Sequence, residues 1–429
     1  MTSIRNLLRM RVVRTSARTL FVCIGMYSNT LLAMQFIDLR MYEVYFRQAF
    51  DTTRRANMAL YGEGGWNSRG YNRHSDCVNI LQLWQPTQSS LAMLKGFNED
   101  SLESQALAII DAYDDGVRGH WCVRGSFHNL VSAAFATRIA IRHDFMLGLY
   151  LPVHHAQLQD ISWNNLTRDI NAQDMRVREE LTDNFLENVH NFDPTLNLCS
   201  GWQRTGVGDL TLLMEWQHDF PQPKPVLKIV QVNTRLGMSF PTGLRHDNDL
   251  LFALPFGNDG ATGLIFGGCL NLNFMHRMWA GVDVELTHLF DTVSTRRIKV
   301  DPDQTELLLL AKACVHNDWG MIQRFNLFLT ADPVLYGLSA SFYYQFLKHG
   351  RTDIIIGSND FDSTIANTAE SLKEWVCHTA IFRATYDFAY HMADETRVHP
   401  SLSLFARIPF KARRAAVWNA AGVMLNVAF

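Results

Sequence analysis

Three histidine clusters have acidic or amide neighbours: His154-His155, His246-Asp247-Asn248-Asp249 and His316-Asn317-Asp318. A protease built from such groups needs carboxylates and His across a cleft to activate water, and a phospholipase needs a Ser oriented by His. The clusters fall in or beside segments that read as loops, with no companion Ser/His pair, so no catalytic residue is assigned. Asp247 with Asp249, or Asp301 with Asp303, offers hard oxygens to Ca²⁺, but the twelve-residue calcium loop is missing. Gly257-Asn258-Asp259-Gly260 lacks the strand before it and the helix after it that a phosphate loop requires, and reads as a turn. Cys77, Cys122, Cys199, Cys269, Cys314 and Cys377 lie far apart with no C-x-x-C pair, so neither a zinc site nor a disulfide framework is expected. No metal or cofactor is assigned.

The charged residues placed at alternate positions of apolar segments suggest a different chemistry. Arg124, Arg138, Asp209, Glu215, Arg235, Asp283, Glu285, Arg324, Arg383, Asp387 and Arg407 all occupy the less apolar parity of their segments. If that parity faces a water-filled lumen, these residues line a pore, with both signs creating a transverse field that selects ions.

The elements that would position them repeat with a period of two. Phe145, Leu147, Leu149, Leu151 and Val153 alternate, as do Leu210, Leu212, Met214 and Trp216, and the pattern returns as far as Val423, Leu425, Val427 and Phe429. It marks strands with two chemically different faces. Twelve segments carry it: 118–128, 131–142, 145–153, 207–219, 226–240, 261–274, 279–291, 318–331, 335–347, 375–389, 399–411 and 417–429. Most exceed the usual ~5 to 6 residues of soluble strands and suit the ~9 to 11 that cross a bilayer obliquely. On the more apolar parity only Lys228 is charged. That asymmetry fits a lipid face, where a mid-bilayer Lys or Arg costs ~2 to 4 kcal/mol. With Phe429 at the periplasmic end, the joins on that side are short, while 154–206, 241–260, 292–317 and 348–374 on the other side are long, as in transmembrane barrels. Trp163, Trp216, Trp279 and Trp375, toward strand ends, suit interfacial girdles.

Residues 1–33 read as a signal peptide: Arg5, Arg9, Arg11, Arg14 and Arg18 precede an uncharged stretch from Thr19 to Phe36, with Leu31-Leu32-Ala33 at the cut. Residues 34–117 fit the scheme less well and are expected to form a plug, a mouth element or one extra hairpin. Within them Tyr42, Val44 and Phe46 suggest a strand, Asn79 to Trp84 another, and Glu103 to Tyr113 a helix. Residues 118–429 form the barrel. Met175, Leu181, Phe185, Leu186, Val189 and Phe192 give one outer loop helical spacing, and Leu307 to Cys314 is a short apolar run in another. Over 429 residues, 39 Lys+Arg against 42 Asp+Glu leave no basic footprint for nucleic acid, and 47% hydrophobic residues exclude disorder.

Gly206-Val207-Gly208-Asp209-Leu210 opening a strand, Pro241-Thr242-Gly243 closing the next upward one, and a terminal strand ending in Phe429 resemble Gram-negative outer-membrane proteins. The resemblance is in particular to porins and to the channels for fatty acids and aromatic hydrocarbons. The resemblance implies a signal for the outer-membrane assembly machinery at Phe429, a location in the cell outer membrane, and contact with outer-membrane lipid.

The expected fold is therefore all-β. It is a closed antiparallel transmembrane β-barrel of about 12 strands (10–14), with an N-terminal plug or mouth segment and helical insertions in outer loops. The expected function is passive passage of small solutes, hydrophobic ones included, and not catalysis. The alternatives are a structural or adhesive surface barrel with a blocked lumen and, less favoured, a barrel hydrolase.

Overall fold

Strict alternation lets one strand satisfy two environments, and in the computed structural model the alternating segments pair edge to edge into a single wall. The structure describes residues 55–111, 119–142, 144–166, 184–358, 360–391 and 398–429. Twelve antiparallel strands make the wall. They are β1 Ala56–Tyr71, β2 His120–Arg142, β3 Phe145–Asn165, β4 Leu210–Pro221, β5 Leu227–Phe240, β6 Gly263–Phe274, β7 Met278–Leu289, β8 Ile322–Leu335, β9 Leu338–His349, β10 Trp375–Asp387, β11 His399–Arg413 and β12 Ala415–Ala428. Each pairs with its neighbour in chain order, and β1 also pairs with β12, so the sheet closes without an edge.

One end carries short joins, including Tyr336-Gly337 and residues 275–277. The opposite end carries the long loops 72–119, 166–209, 241–262, 290–321 and 350–374, with only Arg414 between β11 and β12. Leu60, Phe135, Leu147, Met214, Leu270, Phe342, Phe382 and Leu404 project from the outer surface and are largely exposed. The intervening residues are buried inside. This outward apolar band, closed wall and loop asymmetry are the architecture of a transmembrane barrel.

Two expectations about strands need correction. Segments 118–128 and 131–142 form one strand, β2, interrupted by a bulge between His128 and Val131 where Asn129 adopts φ 49°. The twelfth wall strand is instead β1, which lies within 34–117. Gly62 and Gly64 interrupt its outward row and Gly65 its inward row, and Asn67, Ser68 and Arg69 follow, which hides the period. Asn79 to Trp84 contains a 3₁₀ turn, Ile80–Gln82, in place of a strand. The helix expected from Glu103 is present as α1, Leu102–Asp111, and the loop periodicity around Phe185 is α2, Phe185–Phe192. The signal peptide and the strand at Tyr42 lie outside the described residues.

Above the bulge the polarity of the wall inverts. Trp121, Val123 and Phe127 point inward and are buried, while Arg124 and His128 point out. The inward groups pack on Ile80, Leu81, Leu83 and Trp84, on Leu251, Phe252 and Leu254, and on Leu307 and Leu308. This apolar core caps the long-loop end. The run from Leu307 is thus buried cap rather than helix. A small sheet of Thr292–Arg297, Lys312–Asp318 and Asp353–Ile356 sits beside the cap. Trp163 and Trp375 pack against or within the same core and are not girdle residues.

Candidate functional site

The barrel interior is built from the residues that alternate with the lipid-facing row. Arg138, Glu215, Arg235, Asp283, Glu285, Arg324, Arg383 and Arg407 all lie there and are buried, Arg138 at 2% and Glu215 at 0% exposure. Most of them stand beside charges of opposite sign inside the wall, and the pairs skip a strand. Arg138 on β2 reaches across β3 to Glu215 on β4 in a bidentate contact, Nε to Oε1 at 3.0 Å and Nη2 to Oε2 at 3.1 Å. Arg138 is in register with Gly148 on β3, and a Cβ there would lie 3.4 Å from Glu215 Oε1. Arg235 on β5 likewise spans β6 to reach Asp283 at 2.6 Å and Glu285 at 3.2 Å on β7. The residue between them is Gly267, in register with both Arg235 and Glu285, and a Cβ there would lie 3.2 Å from Arg235 Nε. At Gly267 the missing side chain is what opens the bridge, while at Gly148 a Cβ would only reach ordinary contact with the carboxylate.

A third pair joins Arg407 on β11 to Glu63 on β1 at 3.4 Å, across β12 at Ala420 and Gly422. Tyr61 donates to the other Glu63 oxygen at 2.5 Å and stacks on Phe405. Glu63 was missed in the sequence because β1 was missed. The signal that would have found these bridges is a Gly in mid-strand with no turn nearby. Arg383 lies over the Tyr343 ring and contacts Ser341. Around these groups, Tyr150, Leu213, Ile265 and Ile381 fill the interior at 0% exposure.

The remaining candidates sit elsewhere. Arg124 is a correction: it is exposed on the outer surface above the bulge, because the extra residue there reverses the parity. Asp387 is at the short-turn end, where it accepts from Ala389 N. Asp209 is buried at the long-loop rim, accepting from Gly243 N at 2.9 Å and Asn258 N at 2.6 Å. It therefore holds the two ends of the 241–262 loop over the barrel. Gly257 is needed beside it, since a Cβ would lie 2.5 Å from the carboxylate.

Above Asp209 opens a cavity of about 840 Å³, lined by Arg204, Gly243, Arg245, Asp247, Asp249 and Lys312 among others. The pairing of Asp247 and Asp249 as a cation site is not what the side chains do. Asp249 is held by Arg297 at 2.7 Å and Lys312 at 2.7 Å, and one Asp247 oxygen takes the Asp249 N–H. Burial works against ionisation of Asp249, but the hydrogen bonds from Lys312 and Arg297 outweigh it and hold its carboxyl below the usual range. His246 is buried and donates from Nδ1–H to Ala253 O. Burial foremost, with the charges of Arg204 and Arg296, lowers its pKa to about 3.

Of the other His clusters, His154 contacts Ser132 and His155 contacts Thr205. One Ser/His/Asp cluster escaped the sequence reading. Ser126 Oγ lies 2.7 Å and Asp160 Oδ2 2.9 Å from His128 Nε2, on the outer face of β2 and β3. A proton relay places the Ser and the acid on opposite ring nitrogens. Here both meet the same one, so the cluster is a polar surface contact.

The fold is that of a closed, twelve-stranded antiparallel transmembrane β-barrel. No family model and no curated relative matches the sequence. Among solved structures, an outer-membrane channel of Pseudomonas putida F1 is similar at 9% identity, with a TM-score of 0.48, covering 92% of this chain and 100% of that one. The toluene transporter TodX of Pseudomonas putida aligns at 7% identity and a TM-score of 0.29, covering 94% and 95%. LpxR from Salmonella typhimurium aligns at 8% and 0.26, covering 87% and 99%.

Proposed function

We propose that the protein is an outer-membrane channel for small polar solutes, held shut by its cap and by the side chains that fill its interior. The observation that supports this reading is the polarity of the inside. From β1 round to β11 the wall presents charges of both signs at mid-barrel height, where a barrel with no aqueous role has no need of them. Asp209 and the cavity above it extend that polar lining to the outer rim. Residues 79–94 contribute to the cap, which gives the segment before β2 a mouth role as well as a wall strand. Outer-membrane lipid covers the apolar band, and the assembly machinery is the partner that would insert it.

A sealed structural barrel is the second reading, favoured by the near-zero exposure of the interior. Conductance in planar bilayers separates the two. For a channel, Leu81→Asp with Leu254→Asp, which place charge in the cap, should raise the conductance of refolded protein several-fold. No current from either protein, at any voltage the bilayer withstands, would leave the sealed barrel.

A further inference from the structure

The cavity at the long-loop rim is walled by three elements. Strand Trp202–Val207 supplies Arg204, Gly206 and Val207, the loop after β5 supplies Thr242 to Asp249, and the small sheet supplies Thr295 and Lys312. Its orientation follows from its walls, which are the loop after β5, the small sheet beside the cap and the less exposed Arg204 and Gly206, with the exposed Val207 at its edge. The cavity therefore opens on the mouth and not on the lipid, and its occupant comes from solution.

The charges on its wall are unevenly committed. Lys312 is neutralised by Asp249. Arg204 spends its guanidinium on two backbone carbonyls, Leu254 O at 2.8 Å and Arg245 O, so its hydrogen bonds bring no carboxylate to its charge. The Arg245 side chain makes no hydrogen bond or close ion pair among the described residues, and the carboxylate its charge acts on is the buried Asp259. Arg245 is only partly exposed, and its Nε lies over Gly260, where φ is +83° and a Cβ would come within 2.7 Å of it. A guanidinium with five donors, fixed by a left-handed turn and facing an 840 Å³ space, is a receptor for a carboxylate or phosphate. Asp247, with one oxygen engaged by a backbone N–H, and the Thr295 position add acceptors and a donor suited to hydroxyl groups, while the Thr242 hydroxyl is taken up by Gly208 O and Leu210 N.

We infer that this cavity is a binding site for a small hydroxylated organic anion, of the size and chemistry of a sugar acid, with Arg245 as the group that selects the charge. The inference rests on the channel reading in making this anion the solute that the mouth collects, but the site itself is independent of whether the barrel conducts.

The test is calorimetric titration of the refolded, detergent-solubilised full chain with D-glucuronate and with D-glucose, alongside bilayer conductance. Glucuronate should bind saturably and more weakly as salt is raised, glucose at least ten-fold more weakly. Arg245→Gln should lose about ten-fold in glucuronate affinity, and Arg245→Lys should retain part of it. Arg245 is partly exposed and its side chain makes no hydrogen bond among the described residues, so these variants should keep the wild-type heat-modified shift on gels, which checks that they fold. Equal binding of glucose and glucuronate, or an unchanged affinity in Arg245→Gln, would overturn the site. Selective binding by a protein that passes no current would keep the site and sink the channel reading.

Discussion

Inside the barrel each bridging arginine depends on a partner it cannot replace. Taking a carboxylate out of water costs several kcal/mol, and Arg138 offsets this for Glu215 at close, bidentate range. Arg138→Met should therefore lower stability by about 3 to 5 kcal/mol, while Arg138→Met with Glu215→Leu should regain most of it. Denaturant midpoints of the refolded barrel would measure both, and an equal loss in the double variant would show that the pair is not the source. His246 gives a pH dependence with a definite sign. Its folded pKa of about 3 lies below its ordinary value of 6.5, so the unfolded loop takes up the proton first. Its contribution is full above pH 6.5 and drains as pH falls toward 3. The groups that face it are Arg204 and Arg296, whose charge disfavours the imidazolium, and Asp259, whose own pKa burial raises. Protease cleavage within 241–262 should accelerate through that window, and His246→Asn should flatten the profile.

At the scale of the strand, alternation predicts which substitutions the membrane forbids. Phe382 projects into lipid, so Phe382→Arg should cost ~2 to 4 kcal/mol and block assembly. Thr385→Arg, on the other face of β10 and near its short-turn end, should assemble, as judged by the heat-modified shift on gels. Thr211 offers no such tolerance, because it is fully buried inside the wall. The bulge in β2 supplies the second test. Deleting Asn129 would restore a single parity along the strand and turn Trp121, Val123 and Phe127 away from the cap. At ~1.5 to 3 kcal/mol for each buried side chain, the cap should loosen and become protease-sensitive while the lower wall still forms. The same bulge explains what the sequence did and did not disclose. Eleven of the wall strands were legible because lipid on one side and polar groups on the other impose the period. Above the membrane that pressure is absent: water lies outside and the apolar cap inside, so choosing the apolar parity as outward misplaced Arg124. β1 was hidden by Gly62 and Gly64, which bring no outward signal, with Gly65 leaving a blank on the inward row. Which charges pair was not legible, because each bridge skips a strand and depends on which strands are neighbours.

For the whole molecule, closure of the interior and its electrostatics are one problem. Asp283 and Glu285 both hold Arg235, so replacing them with Asn and Gln removes two negative charges and leaves that guanidinium without its carboxylates. Any current through the variant, with the cap loosened, should shift toward anions. The shift should shrink as salt shortens the screening length from ~10 Å at 0.1 M to ~3 Å at 1 M. Unchanged selectivity would place the conducting path away from β5 and β7. The same variant should unfold at lower denaturant, because a buried cation has lost its partners.

The pairing of β1 with β12 also sets an order of events. Eleven of the twelve contacts in the wall join strands that follow one another along the chain, and each can form as a local hairpin once its two strands exist. The twelfth joins Asn57 to Ala428 and runs to Tyr71 opposite Ala415, across more than 340 residues. Until it forms, the sheet carries two raw margins whose N–H and C=O groups have no partner, and hydrocarbon supplies none, at several kcal/mol for each group. A half-wound sheet can therefore wait in water or against another protein, but not in lipid. Entry into the membrane and the zipping of this one seam must be the same step, and a block that prevents the seam should strand the chain outside the bilayer with its other hairpins already made.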